Sequence, residues 1–129
     1  MPPITFVNPD TVHSTGGRYS HAALVPAGAK RLVISGQVGT APDGTILEGA
    51  EAQCAQALAN LKAILASQGM GPANIVKMTV FLTDAAQVPV MRAARAAALE
   101  GAAPASTLLI VAGLADPRFL IEVEAEAVG

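Results

Sequence analysis

The stretch from residue 74 to residue 84, NIVKMTVFLTD, constrains this chain more than any other. Val76, Met78, Val80 and Leu82 alternate with Lys77, Thr79, Phe81 and Thr83, which is the two-residue period of a strand whose faces meet different surroundings. Such a strand belongs in a sheet with one face covered by helices. The end of the chain repeats the pattern. Across residues 119–128, Ile121, Val123, Ala125 and Ala127 alternate with Glu122, Glu124 and Glu126.

The covering helices are also legible. Cys54, Ala57, Leu58, Leu61, Ile64 and Leu65 recur at helical spacing and form one apolar stripe that stops at Gly69. Cys54 lies on that stripe and has no neighbouring base or cation, so it reads as a core residue rather than a nucleophile. A second helix is expected after Asp84, with Pro89 in its first turn, alanines across 93–98 that permit close approach, and Gly101 as its stop. Residues 4–7, 20–25 and 31–35 are β-prone. The second of these turns through Pro26 and Gly28 and is expected to pair with the third as a hairpin. Residues 106–111 read as a buried strand.

The order is three strands, helix, strand, helix and two strands, without repeat or linker. It predicts one α+β domain over 1–129, a mixed sheet with two helices packed on one face. The other sheet face is left bare. Of the 129 residues 52% are hydrophobic and only 14% charged, so another subunit is expected to cover part of that surface.

A net charge of −2 with no clustered basic face argues against nucleic acid as a partner. No apolar run approaches the roughly 18 residues that would suggest a membrane span. One cysteine excludes an internal disulfide, and the stretch MPPITFVNPD lacks the basic start and apolar core of a secretory signal, so a cytoplasmic protein is expected. His13 and His21 lie eight apart without a third ligand at metal spacing, and no metal is expected.

Chemistry is suggested first by KRLVISGQVGT, residues 30–40. A strand ending at Ser35, Gly36 and Gln37 would expose bare backbone between a hydroxyl and an amide, which suits a ligand cleft, although turn chemistry alone gives the same pattern. The only tyrosine, Tyr19, follows Gly16, Gly17 and Arg18 in a loop able to approach a ligand closely.

Taken with GRYSHA at 17–22, VISGQVG at 33–39, GMGPANIVKMTVFLTD, PAST at 104–107 and IEVEAEAV at 121–128, the chain resembles the Rid family, the reactive intermediate deaminases formerly called YjgF proteins. The resemblance spans nearly the whole length. It implies a chorismate-mutase-like fold, assembled as a homotrimer around a central barrel with a cleft at each subunit boundary. It further implies hydrolysis of a small imine or enamine to a keto acid and ammonia, with no cofactor. Tyr19, Ser35, Gly36, Gln37 and Glu122 fall on motif positions of that cleft.

Four positions depart from the family pattern. Ser106 stands where the best-known branch has an arginine for the substrate carboxylate, and a hydroxyl cannot supply the charge of a contact worth about 1.5–3 kcal/mol. Leu108 replaces a cleft cysteine, Arg92 an asparagine and Arg18 the motif proline. The expected site therefore has Glu122 and Ser35 as catalytic residues, and Tyr19, Gly36, Gln37, Arg18, Arg92, Ser106 and Thr107 as substrate contacts. Its substrate is expected to be other than 2-aminoacrylate: larger, less acidic, or gripped by Arg18 or Arg92. A second reading is a non-catalytic trimer that binds or senses a small ligand. Endoribonuclease activity is a third, and it lacks the basic face and paired histidines that it would need.

Overall fold

The two alternating segments become neighbouring central strands. In the computed structural model of the protein, which describes residues 4–129, the main sheet has the order β3-β6-β4-β5, from β3 (Arg31–Val38), β4 (Ile75–Leu82), β5 (Ala105–Ile110) and β6 (Ile121–Val128). Residues 1–3 of the N-terminal stretch lie outside the described residues. β6 runs antiparallel to both β3 and β4, while β5 runs parallel to β4, so the sheet is mixed as expected.

Helices α1 (Ala50–Ser67) and α2 (Val88–Leu99) share one core with one face of this sheet. Cys54, Ala57, Leu58, Leu61 and Leu65 of the predicted stripe are buried against Met78, Val80, Leu82, Ile121 and Val123. Burial pushes the Cys54 thiol up to about 11, which keeps it protonated and inert near neutral pH. α1 ends where Gly69, at φ 69°, lets the Met70 N–H return to the Leu65 carbonyl at 2.9 Å. α2 is announced by a short 3-10 turn at Ala85–Gln87, whose Asp84 accepts from the Ala86 N–H at 2.8 Å. Its left-handed cap is Glu100 at φ 52°, one residue before the expected Gly101.

Three expectations are corrected. The short strand β2 (Ala22–Leu24) pairs with β1 (Thr5–Val7), not with β3, whose sheet partner is β6. A three-residue strand carries too little pattern to specify its partner. β5 is exposed along residues 107–110 rather than buried, because it forms a bare sheet edge. Finally, β3 does not stop at Ser35. Three residue steps on β3, from Ile34 to Gln37, match two on β6, from Ala125 to Val123, so the strand absorbs one extra residue as a bulge and continues to Val38.

One polar side chain sits inside this core. Gln53, 2% exposed, donates from Nε2 to the carbonyls of Leu47 at 2.8 Å and Arg118 at 2.9 Å, and its Oε1 accepts from the Leu120 N–H at 2.8 Å. Gly39 lies against it, and a Cβ there would fall 2.6 Å from the Gln53 Cα. Replacing Gln53 by leucine strands three backbone groups, and we expect Gln53→Leu to lower the unfolding free energy by roughly 2–4 kcal/mol in urea titrations.

Candidate functional site

The expected site residues fall into two groups, on opposite faces of the sheet. Pairing fixes the faces. Val80 belongs to the core under the helices and pairs with Leu108 on β5 and with Val123 on β6, so Leu108 and Ser106 face the helix layer. Phe81, one residue on, pairs with Glu122 and Leu109, which places Glu122 on the open face.

The open-face group is organised by the bulge. Gly36 presents bare backbone there, and Glu122 lies directly over it, since a Cβ at Gly36 would come within 2.6 Å of the Glu122 Cδ. Gln37, just past the bulge, pairs with the core residue Val123 and so leaves the open face, its Nε2 donating to the Ser35 carbonyl at 3.1 Å. Ser35 borders a shallow hollow of about 230 Å³ shared with Lys77, Thr79 and Glu124. Thr107 is on this face too, its hydroxyl accepting from the Lys77 ammonium at 2.7 Å. Ser35, Gly36, Thr107 and Glu122 therefore share a surface that no helix covers.

The helix-side group surrounds a cavity of about 490 Å³ between α2, β5 and the loop at 17–19. Val80, Met91, Leu99 and Leu108 give it an apolar wall, and Arg18, Tyr19, Arg92 and Ser106 lie at its rim. The loop is pinned to the start of β5. Ser20 donates from its hydroxyl to the Ala103 carbonyl at 2.6 Å and from its N–H to the Pro104 carbonyl at 3.1 Å. The side chain of Asn8 holds the same corner through the His21 N–H at 2.9 Å. Tyr19, 37% exposed, meets the His21 ring edge to face at 6.5 Å.

The group also contains a residue that sequence reasoning missed. Arg95 projects from α2 into the rim, where its Nη1 donates to the Ser106 hydroxyl at 2.7 Å and its Nη2 approaches the Arg18 carbonyl at 3.4 Å. Arg92 and Arg18 are exposed, whereas Arg95 is half-buried, and that burial pulls its guanidinium below the usual arginine range. It still carries its charge at any ordinary pH. The signal was present in the sequence, because Met91, Arg95 and Leu99 are spaced by four and so share one face of the helix, with the outer two buried.

A single protomer does not unite the two groups. Three interstrand steps separate β3 from β5, about 14 Å at the usual spacing, and the sheet itself stands between the faces. The arrangement can hold an anion on one side and offer a carboxylate over bare backbone on the other. This defines a small α+β chain with a candidate polar site on each face of its sheet.

The chain belongs to the endoribonuclease L-PSP family, that of the Rid or YjgF proteins, whose model matches residues 11–129. It is similar to YyfB of the conserved Rid protein family from Yersinia pestis, with 34% identity and a TM-score of 0.89 over 98% of this chain and 99% of that one. It is 37% identical to the 2-iminobutanoate/2-iminopropanoate deaminase of Rattus norvegicus, over 87% of this chain and 80% of that protein. A RutC family protein of Aquifex aeolicus is 42% identical over 69 residues, and this match spans about half the length of each, 53%.

The Gly36 and Glu122 contact is open to a direct check. In Gly36→Ala the added methyl must displace the carboxylate, which is the free end of a flexible side chain. The expected outcome is a crystal structure with Glu122 swung off the bulge and an unfolding free energy within about 1 kcal/mol of the parent.

Proposed function

We propose that this protein hydrolyses a small imine or enamine to a carbonyl compound and ammonia, in a cleft that two copies of the chain complete within a homotrimer. The observation that carries the reading is the division of the site. A carboxylate stands over bare backbone on the open face, a cationic apolar-walled pocket lies on the helix side, and within one protomer the sheet keeps the two apart. A second copy, set with its open face toward the β5 edge of the first, supplies what each lacks.

The exposed apolar residues support this assembly. Val33 on the open face is 67% exposed, and Leu109 and Ile110 on the bare edge strand are 45% and 48% exposed, surface that a solitary protomer would leave to water. The bare faces would then line a central barrel. The kinship with imine deaminases supports the reaction class.

In this mechanism Glu122 acts as general base. It takes one proton from a water whose oxygen adds to the imine carbon, giving a carbinolamine with nitrogen still attached. Glu122 hands that proton to the nitrogen, which completes the neutral carbinolamine; the hydroxyl proton then passes by way of Glu122 to the nitrogen, and the C–N bond breaks with its electron pair leaving on ammonia as the C=O bond forms. The Gly36 N–H and the Ser35 hydroxyl are within the bulge to orient the reacting groups, while Tyr19 closes the other side. An enamine enters by first taking a proton at carbon and releasing one from nitrogen to become the imine. The overall balance is imine plus water to carbonyl plus ammonia, which needs no oxidant and no cofactor.

Ammonia release from imines generated by an amino-acid oxidase tests the chemistry, and Glu122→Gln is expected to slow it by about 10²- to 10⁴-fold. Subunit complementation tests the shared site. Glu122→Gln and Arg95→Ala, each impaired as a pure oligomer, should recover part of the activity when co-assembled, because some clefts then receive both intact halves. Absence of recovery, or a 13.0 kDa monomer by light scattering at micromolar concentration, overturns the composite site.

A further inference from the structure

Arg95 is a half-buried cation without an acidic partner. The ion pairs among the described residues are Arg31 with Glu126, Lys62 with Glu100 and Arg118 with Asp116, and none involves the arginines of the pocket. Of its five N–H donors, one is committed to Ser106 at 2.7 Å and one reaches the Arg18 carbonyl at the long distance of 3.4 Å, which leaves three to meet a ligand. Ser106 accepts from Arg95, so its own hydroxyl proton also remains free to donate. Removing a guanidinium from water without a counter-charge is costly, and an anion at this point offsets that cost with a charge-assisted, bidentate contact.

The hollow behind the cation is apolar and roomy. Val80, Met91, Leu99 and Leu108 line it, Ala96 and Ala102 leave space where larger side chains would fill it, and the stem of Arg95 continues the wall. Its volume of about 490 Å³ is within the usual range for sites that enclose a whole organic ligand, and far exceeds what a two- or three-carbon acid occupies.

We infer that this pocket binds an organic carboxylate with a bulky apolar body, Arg95 and Ser106 gripping the carboxylate while the body fills the hollow between α2 and β5. This rests on the proposed imine hydrolysis and narrows it to the imines of large apolar amino acids, of branched or aromatic type. Arg18 and Arg92, exposed at the mouth, attract the anion, and Arg95 fixes it. The sequence-based expectation that Arg18 or Arg92 grips the ligand is thereby replaced by a residue one helical turn further along α2.

Calorimetric titration of the oligomer with 2-keto acids, which are the product type, tests the inference without requiring turnover. Phenylpyruvate and 4-methyl-2-oxopentanoate are expected to bind at least about tenfold more tightly than pyruvate, in line with the extra apolar surface buried. Benzyl methyl ketone, which keeps the ring and loses the carboxylate, should bind at least about tenfold more weakly than phenylpyruvate. Arg95→Met should weaken phenylpyruvate by at least about tenfold, and Arg95→Lys should recover part of that loss. Ala102→Leu should penalise phenylpyruvate more than pyruvate. Equal affinity across the keto acids, or Arg95→Met binding like the parent in a folded oligomer, overturns the inference even if imines are hydrolysed. The expected binding order without ammonia release would instead remove the hydrolytic reading and leave the pocket assignment standing.

Discussion

The amide of Gln53 is the interaction on which the rest of the structure depends. Placed on the buried side of the first turn of α1, it satisfies two carbonyls and one N–H from segments 6, 65 and 67 residues away in sequence. Each of these groups would otherwise be an unpaired backbone dipole in an apolar setting. Because Leu120 is held at 2.8 Å, β6 begins in fixed register at Ile121, and Glu122 follows one residue later. Gly39 completes the arrangement by leaving room for the helix backbone at the point where β3 passes Gln53. The position of the carboxylate on the open face is thus traceable to an amide on the opposite side of the sheet.

The chemistry is divided by the same sheet. Strand pairing sends alternate residues of β5 to different faces, so Ser106 and Leu108 meet the helices while Thr107 meets Lys77 in the open. The bulge in β3 and the anchored loop before β2 then equip each face differently. One receives bare backbone and a carboxylate, the other a cation and an apolar hollow. Each arrangement is held by its own elements, so both form within a single chain.

Periodicity carried most of the fold. The alternation in β4 and β6 and the α1 stripe each repeat over enough residues to identify the element and its buried face. Where the pattern was short or context decided, it was silent. β2 has three residues and took β1 as partner. β5 is as apolar as a buried strand, yet whether an apolar strand is covered depends on what lies beside it, and among the described residues no strand pairs along the outer edge of residues 107–110. Ser35 and Gly36 were legible as a special point on β3, but a bulge and a strand end share the same glycine signature. Gln53 and Arg95 were overlooked for one reason, although the spacing of Met91, Arg95 and Leu99 already put Arg95 on a helix face shared with apolar residues. A polar residue at a buried helical position reads as an interruption of the pattern until its partners, distant in sequence, are known.

Ser106 and Arg95 occupy one small volume, eleven residues apart in the chain and 2.7 Å apart in space. The short side chain on the strand is what admits the long one from the helix. A large residue at 106 would expel the guanidinium, and a small one at 95 would leave the hydroxyl facing an uncharged gap. The two positions therefore constrain each other's size. Across relatives of this fold they are expected to covary, with the charge free to migrate between strand and helix as long as one of the pair stays small.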